Sequence, residues 1–427
     1  MNEQKKSYDP EEKPKNPMGR TIAILLAACL LLGGLSVYLG SVYGKKEEEP
    51  VVSAVTAQPE APAAEQSAQE ESAGAVTAPP ALDLNALYAT HDKNEVVAQL
   101  NGKDVTWGEY FYWVSAMASQ VQSYFDTMAM YGMPVSWTDA WGSETDPEQT
   151  FAEYALEMAE DYVKQINVIE TYAESAGAAV TAEDEKALEE QYRADIAATC
   201  GEDATEAAFE KYLESLFMDK ALYDRINRMN ALYQNGYTAL YGENGEKISD
   251  EDAIAFLQDN GYVSAGHILL LTMDMSTGEA LDADTVAAKE AQAKEIADEL
   301  RAISDPEALL ARFAELKELY CEDTGKASYP DGYTYTPGTM VAEFENTVSA
   351  LAEYEVSEPV LTSYGYHIIL RLPLDADKPV EFTNNGTAVT ARALCANDRY
   401  GNALQELHDS SKLEFLIDLP DINRFVK

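Results

Sequence analysis

The sequence predicts an α+β fold, and three observations carry that expectation. Two apolar segments of strand character, Ser264-Ala-Gly-His267-Ile-Leu-Leu-Leu271 and Tyr364-Gly-Tyr-His367-Ile-Ile-Leu370, each hold one of the four histidines. Elsewhere apolar residues recur at three- and four-residue spacing, the period of amphipathic helices. Near the N-terminus, Thr21 to Tyr43 carries no charge. At about 1.5 Å per residue it is long enough to cross a hydrocarbon core of about 30 Å as a transmembrane helix.

Charge narrows the partners. The 427 residues include 75 acidic and 30 basic side chains, a net charge of −45, so no nucleic-acid partner is expected. The excess serves a heavily solvated surface, or else favours basic clients or loosely held divalent cations. A hydrophobic content of 46% is ample for packed cores in two or three domains.

Lys5, Lys6, Lys13, Lys15 and Arg20 precede the uncharged stretch, and only Lys45 and Lys46 closely follow it. The positive-inside tendency therefore makes residues 1–20 a cytoplasmic tail, 21–43 a single-pass anchor in a bacterial cell membrane, and the remainder an extracytoplasmic body. Leu26-Ala-Ala-Cys29 is similar to a lipobox, which leaves a lipidated or cleaved signal as the alternative, but Leu30 to Leu35 continues the apolar run where polar residues usually follow. Residues 44–83 are expected to be a disordered linker, because Glu47 to Pro80 has no aromatic residue. As a flexible coil it spans on the order of 30 Å.

Residues 84–260 form a mainly helical domain. It opens with a hairpin, Val96 to Leu100 and a second short strand around an Asn101-Gly102 turn, and Thr106 then caps a helix beginning near Gly108. Phe151, Ala155, Met158, Tyr162, Ile166 and Ile169 make one helical stripe, and Phe209, Leu213, Leu216 and Phe217 mark another. Thr181 with Asp184 and Ser249 with Asp252 are capping pairs. The tyrosines, methionines and tryptophans between Trp107 and Trp141 form either an apolar cradle for unfolded peptide or an ordinary core. No metal spacing or phosphate loop occurs here, and no cofactor or metal is expected.

Residues 261–375 read as strand, helix, helix, loop, helix, strand, strand. Ala283 to Ala302 is a helix, Asp305-Pro306 starts a second with Leu309, Phe313, Leu316 and Tyr320 on one face, and Met340 to Leu351 is a third. His267-Ile-Leu-Leu, Phe313-Ala-Glu-Leu, Tyr320-Cys-Glu-Asp323, Gly338-Thr-Met340 with Phe344-Glu, Val356-Ser-Glu-Pro-Val360 and Tyr364-Gly-Tyr-His367-Ile-Ile follow one another over about 110 residues. This series resembles the parvulin-type peptidyl-prolyl isomerases. The flanks more loosely resemble the chaperone region of PrsA- and SurA-type foldases, with residues 376–427, Ala388 to His408 in particular, returning to pack on that region.

The resemblance implies a parvulin-like domain, a small antiparallel sheet wrapped by helices, inserted after the chaperone domain. It implies His267 and His367 as a hydrogen-bonded pair flooring the site and Asp323 as the polar group beside the substrate carbonyl, these three being the catalytic candidates. Met340, Phe344, Thr362 and Tyr364 are the substrate-binding candidates. It implies prolyl cis–trans isomerisation in unfolded or newly translocated proteins with Xaa-Pro bonds, no cofactor, and room for a homodimer. Read from the residues alone, a histidine on an apolar strand is more often a satisfied core residue. The alternatives in function are a holding chaperone with a degenerate domain and an assembly protein of the cell envelope.

Two stretches depart from the family pattern. Tyr329-Pro-Asp-Gly-Tyr333 stands where a Gly-Gly-Asp-Leu-Gly turn is usual, retaining Asp331, and Ala352-Glu-Tyr-Glu355 lacks an expected glycine. Losing residues that permit positive φ predicts a reshaped loop beside the site. No basic cluster follows the first strand, so phosphate-directed specificity is not expected. Cys321 lies beside Glu322 and Asp323, whose charges disfavour a thiolate, and is not expected to act as a nucleophile. Beyond Cys29, the cysteines Cys200, Cys321 and Cys395 allow at most one internal disulfide.

Overall fold

The computed structural model describes residues 79–141, 146–201, 204–383 and 386–427. The expected tail, the membrane helix at 21–43 and linker residues 44–78 lie outside them. Among the described residues no helix is long and apolar enough to cross a membrane.

In chain order the elements are α1 (Leu84–Tyr88), β1 (Val96–Leu100), β2 (Lys103–Thr106), α2 (Trp107–Met130), α3 (Phe151–Ser175), α4 (Ala182–Cys200), α5 (Glu206–Ser215) and α6 (Lys220–Tyr241). Then come α7 (Asp250–Asp259), β3 (Val263–Leu271), α8 (Ala283–Arg301), α9 (Pro306–Tyr320), β4 (Tyr333–Tyr335), α10 (Ala342–Ala350), β5 (Val360–Leu361) and β6 (Gly365–Leu372). The chain closes with β7 (Pro379–Phe382), β8 (Ala388–Thr390), α11 (Ala391–Ser410) and β9 (Leu413–Phe415). Two compact units result: one takes the described residues up to Gly236 with Leu404–Lys427, the other is Tyr237–Ala403.

In the first unit, Asn101 and Gly102 both adopt positive φ (52° and 80°), as a two-residue hairpin turn requires. Thr106 caps α2 by accepting the Glu109 amide. Strand β9 adds to the hairpin, giving the order β2-β1-β9, a third strand the sequence did not announce. Leu82 bridges Val426, and Asp83 caps α1. The last expected linker residues thus belong to the folded body, because Leu82 and Leu84 pack on its core. Trp107, Tyr110, Phe111, Trp113, Phe125 and Trp137 are buried, so most of the aromatic stretch is core. Its tip, with Met130, Tyr131 and Met133, is exposed, and Tyr124 and Trp141 are partly so. Thr181 and Asp184 form a reciprocal capping box on α4, while α5 stops at Ser215, leaving Phe217 in the left-handed region at φ 59°.

In the second unit, four antiparallel strands take the order β4-β3-β6-β5. The long pair β3–β6 runs in continuous register from Ser264 opposite Leu372 to Leu271 opposite Gly365. One sheet face packs Ile268, Leu270, Ile368 and Leu370 against Ile296, Leu300, Phe313 and Leu316 of α8 and α9. The other carries Ala265, Tyr335 and Ile369 against Phe344 and Val348 of α10. Asp305 caps α9 with Pro306 in its first turn. The helix expected from Met340 begins at Ala342, because the Glu345 carboxylate takes the Gly338 and Met340 amides. The expected loop contains β4, whose three residues are too few to show alternation.

Residues 376–403 group with the sheet unit, as do residues 237–260 of the expected helical domain, on which this segment packs. Arg392 bonds the Ile248 carbonyl, Asp250 and Asp377, and Gly245 (φ 81°) lies so close to the Arg392 backbone that any Cβ would overlap it. The compact units divide after Gly236 and Ala403.

At Ala352–Glu355 the positive φ expected of a glycine is adopted by Tyr354, at 64°. A left-handed L-residue costs about 1–2 kcal/mol, and glycine's extra unfolded-state entropy offsets about 0.5–1 of that. Tyr354→Gly should therefore stabilise this unit by about 0.5–1 kcal/mol, read as slower amide exchange of Ile368 to Leu370. Faster exchange would show that packing of the tyrosine ring outweighs the strain.

Candidate active site

The site grows from the edge of β3. Pairing with β4 covers only Val263 to Ala265 of that edge, so the polar groups beyond need other partners. The segment after α9 supplies them. Cys321 Sγ accepts the Leu269 amide, Glu322 N donates to the Leu269 carbonyl at 2.9 Å, and the Glu322 carboxylate accepts the Leu271 amide. This lacing fixes where Asp323 emerges. It also gives Cys321 a structural place: it is buried, and Cys200, Cys321 and Cys395 are all free thiols.

Asp323 caps the 3-10 turn Thr324–Ala327, its Oδ1 accepting the Gly325 amide at 2.9 Å. The Tyr333 hydroxyl donates to Oδ2 at 2.7 Å, and His267 Nε2 stands 3.3 Å from the same oxygen, close but out of line for a hydrogen bond. Contact with His267 foremost, then the Tyr333 hydroxyl and Gly325 amide, hold the carboxyl far below the usual range despite partial burial.

His267 and His367 face the same side of the sheet as diagonal neighbours, since His267 opposes Ile369 and His367 opposes Leu269. Their rings meet edge to face at 5.1 Å with no hydrogen bond between them, which corrects the expected bonded pair. His367 Nε2 instead shares a 3.0 Å hydrogen bond with the Thr362 hydroxyl. Burial, with His267 beside it, pushes the His367 pKa down to about 3, so its ring is neutral at ordinary pH. Phe344 sets its edge against both rings, at 5.5 and 5.7 Å.

A cleft of about 240 Å³ opens over this floor. It brings together His267, Asp323, His367, Met340, Phe344 and Tyr364, six of the seven residues singled out from the sequence. Thr362 stands behind His367, buried, rather than on the lining. Sequence reasoning missed Leu269, Met275, Thr339 and Val341 on the walls. Leu269 was legible as the i+2 neighbour of His267 on the same sheet face; the others depend on loop courses that no periodicity shows. Among the described residues no cluster of histidine, cysteine or carboxylates is placed to hold a metal ion.

Residues 267–372 match the rotamase family, described as the PPIC-type PPIASE domain. This stretch, about a quarter of the chain, is similar to a PPIC-type rotamase domain. Foldase protein PrsA of a Geobacillus species is 28% identical over 211 residues, 47% of this chain and 73% of its own length. Foldase protein PrsA 1 of Bacillus cereus is 44% identical over 70 residues, 16% of this chain and 24% of that one. Chaperone SurA of Burkholderia thailandensis is 34% identical over 109 residues, 25% of this chain and 24% of that one. The match thus spans about a quarter of the length of two of these relatives and about three quarters of the third. A solved PrsA structure from Bacillus subtilis, 18% identical, superposes with a TM-score of 0.23 over 74% of this chain and 91% of that chain, too loosely to inform the fold.

Proposed function

We propose that the chain is a foldase that isomerises Xaa-Pro bonds in unfolded proteins outside the cytoplasmic membrane, held there by residues 21–43. One observation carries the reading: a buffered carboxylate, Asp323, and a neutral histidine, His367, share one apolar cleft with Phe344 and Met340. The rotamase match and the PrsA and SurA relatives support it.

Rotation about a prolyl amide breaks no bond; it must overcome about 18–20 kcal/mol of partial double-bond character. Planarity is favoured by charge separation, with the oxygen negative and the nitrogen positive. Phe344 and Met340 grip the proline ring and exclude water, which favours the less polar, twisted amide. The Asp323 carboxylate beside the carbonyl oxygen disfavours the charge-separated form. Its charge survives because Tyr333, Gly325 and His267 solvate it in place of water. His267 and His367 give the amide a rigid floor, Thr362 fixing the His367 ring. An acceleration of about a thousandfold needs only about 4 kcal/mol of such differential stabilisation.

Exchange spectroscopy on an alanine-proline peptide tests this: the purified full chain should raise the cis–trans rate in proportion to its concentration. A folded chain that leaves the rate at its spontaneous value would remove the isomerase reading. A holding role for the helical unit has its own support, the exposed tip at Met130 (81%), Tyr131 (69%) and Met133 (52%). Suppression of client aggregation by a chain lacking isomerase activity would favour it.

A further inference from the structure

The loop that departs most from the family pattern puts two tyrosines where glycines are usual, and one of them, Tyr333, touches two site residues. Tyr333 stacks flat on His267, ring centroids 5.6 Å apart and planes 5° from parallel, while its hydroxyl bonds Asp323 Oδ2. Tyr329 stacks on Tyr333 at 4.6 Å, and Phe382 and Tyr329 meet edge to face at 5.1 Å. The loop backbone is pinned from below: the buried Lys317 ammonium donates to the Tyr329 and Pro330 carbonyls at 3.1 and 2.8 Å. Tyr333 lies outside the cleft lining, so it reaches substrate only through the groups it holds.

Gly325 supplies an independent observation. Its φ is not positive, so no backbone need explains a glycine there. A Cβ at that position would overlap the Tyr333 hydroxyl, with the Asp323 carboxylate oxygens next nearest. The glycine is the space into which the tyrosine reaches.

We propose that Tyr333 is a positioning residue of the isomerase site: through one hydroxyl and one ring face it fixes the Asp323 carboxylate and the His267 imidazole in mutual register, with Gly325 as its receptor. This rests on the isomerase reading. The altered loop is then a replacement for the usual turn rather than damage to it. Lys317 and Tyr329 hold the tyrosine as the tyrosine holds the carboxylate.

Tyr333→Phe, Gly325→Ala and the double variant test it in the full chain. Tyr333→Phe keeps the stack and loses the hydroxyl, so kcat should fall about tenfold, the ordinary effect of losing a hydrogen bond to a charged group, with KM within about twofold. At pH 7 the three-bond couplings of Asp323, which report its χ1 angle, should change from one rotamer to an average. Gly325→Ala, by expelling the hydroxyl, should reproduce both effects in the parent and add little to Tyr333→Phe. Unchanged kcat and couplings in Tyr333→Phe, or additive effects in the double variant, would overturn the proposal. The couplings decide the role of Tyr333 even if the parent proves inactive, which would instead remove the isomerase reading.

Discussion

Asp323→Asn should lower kcat/KM for a prolyl peptide by about ten- to thirtyfold while the sheet unit stays folded. Two unit charges 4 Å apart interact by about 4 kcal/mol at an effective dielectric of 20, and a carbonyl oxygen carries roughly half a charge, leaving about 2 kcal/mol. Most of that is felt only while the amide is planar, so it lowers the barrier, and each 1.36 kcal/mol is about tenfold in rate. The asparagine keeps Oδ1 for the Gly325 amide and places its NH2 where Oδ2 stood, donating to the Tyr333 hydroxyl in place of accepting from it, so shape and cap survive. Asp323→Ala would lose the cap as well, at about 1 kcal/mol of stability, and strand the Tyr333 hydroxyl. Comparing the two separates charge from scaffolding. Should Asp323→Asn keep parental kcat/KM, the carboxylate charge has no part in catalysis and the apolar grip of Phe344 and Met340 carries the reaction.

The division between what could be read from residues and what could not follows the range of the forces. The hairpin turn at Asn101-Gly102, the caps at Thr106, Thr181, Ser249 and Asp305, and the apolar runs of β3 and β6 are set by residues within four positions of each other. Those signals survive in one dimension. The motif order added that His267, Asp323 and His367 would meet, which no local pattern states. What stayed hidden are short elements that exist only because a partner is already present: β4 on the edge of β3, β9 on β1, and the β7–β8 hairpin. The same applies to Thr362 and Tyr333. A threonine before a strand and a tyrosine in a loop carry no mark of the ring nitrogen or carboxylate they will bond across the fold. Tyr354 is the instructive case, since the missing glycine rightly marked a positive φ, yet a tyrosine adopts that angle because its amide is tied to the Arg371 carbonyl at 2.8 Å.

The sheet unit should lose stability in mild acid, and one residue should account for the first part of the loss. His367 has a folded pKa of about 3, depressed from the model-peptide value of 6.5 by burial and by the neighbouring His267. The unfolded chain therefore binds a proton near pH 6.5 that the folded chain refuses until near pH 3, and stability falls as pH drops through that window. At pH 4.5 the difference is about 2–3 kcal/mol, and at pH 7 it is close to zero. Asp323 acts in the same direction but lower, since its depressed carboxyl protects stability above its unfolded pKa near 3.8 and loses it only below that. The two contributions thus separate on the pH axis. Amide exchange of Ile368 to Leu370, corrected for intrinsic rates, reads the opening free energy of β6 itself. His367→Gln keeps a neutral side chain within reach of the Thr362 hydroxyl and removes the titration. Between pH 7 and 4.5 it should lose about 2–3 kcal/mol less than the parent. Equal losses in both chains would mean that His367 is protonated inside the fold, and the neutral floor assigned to the cleft would be wrong.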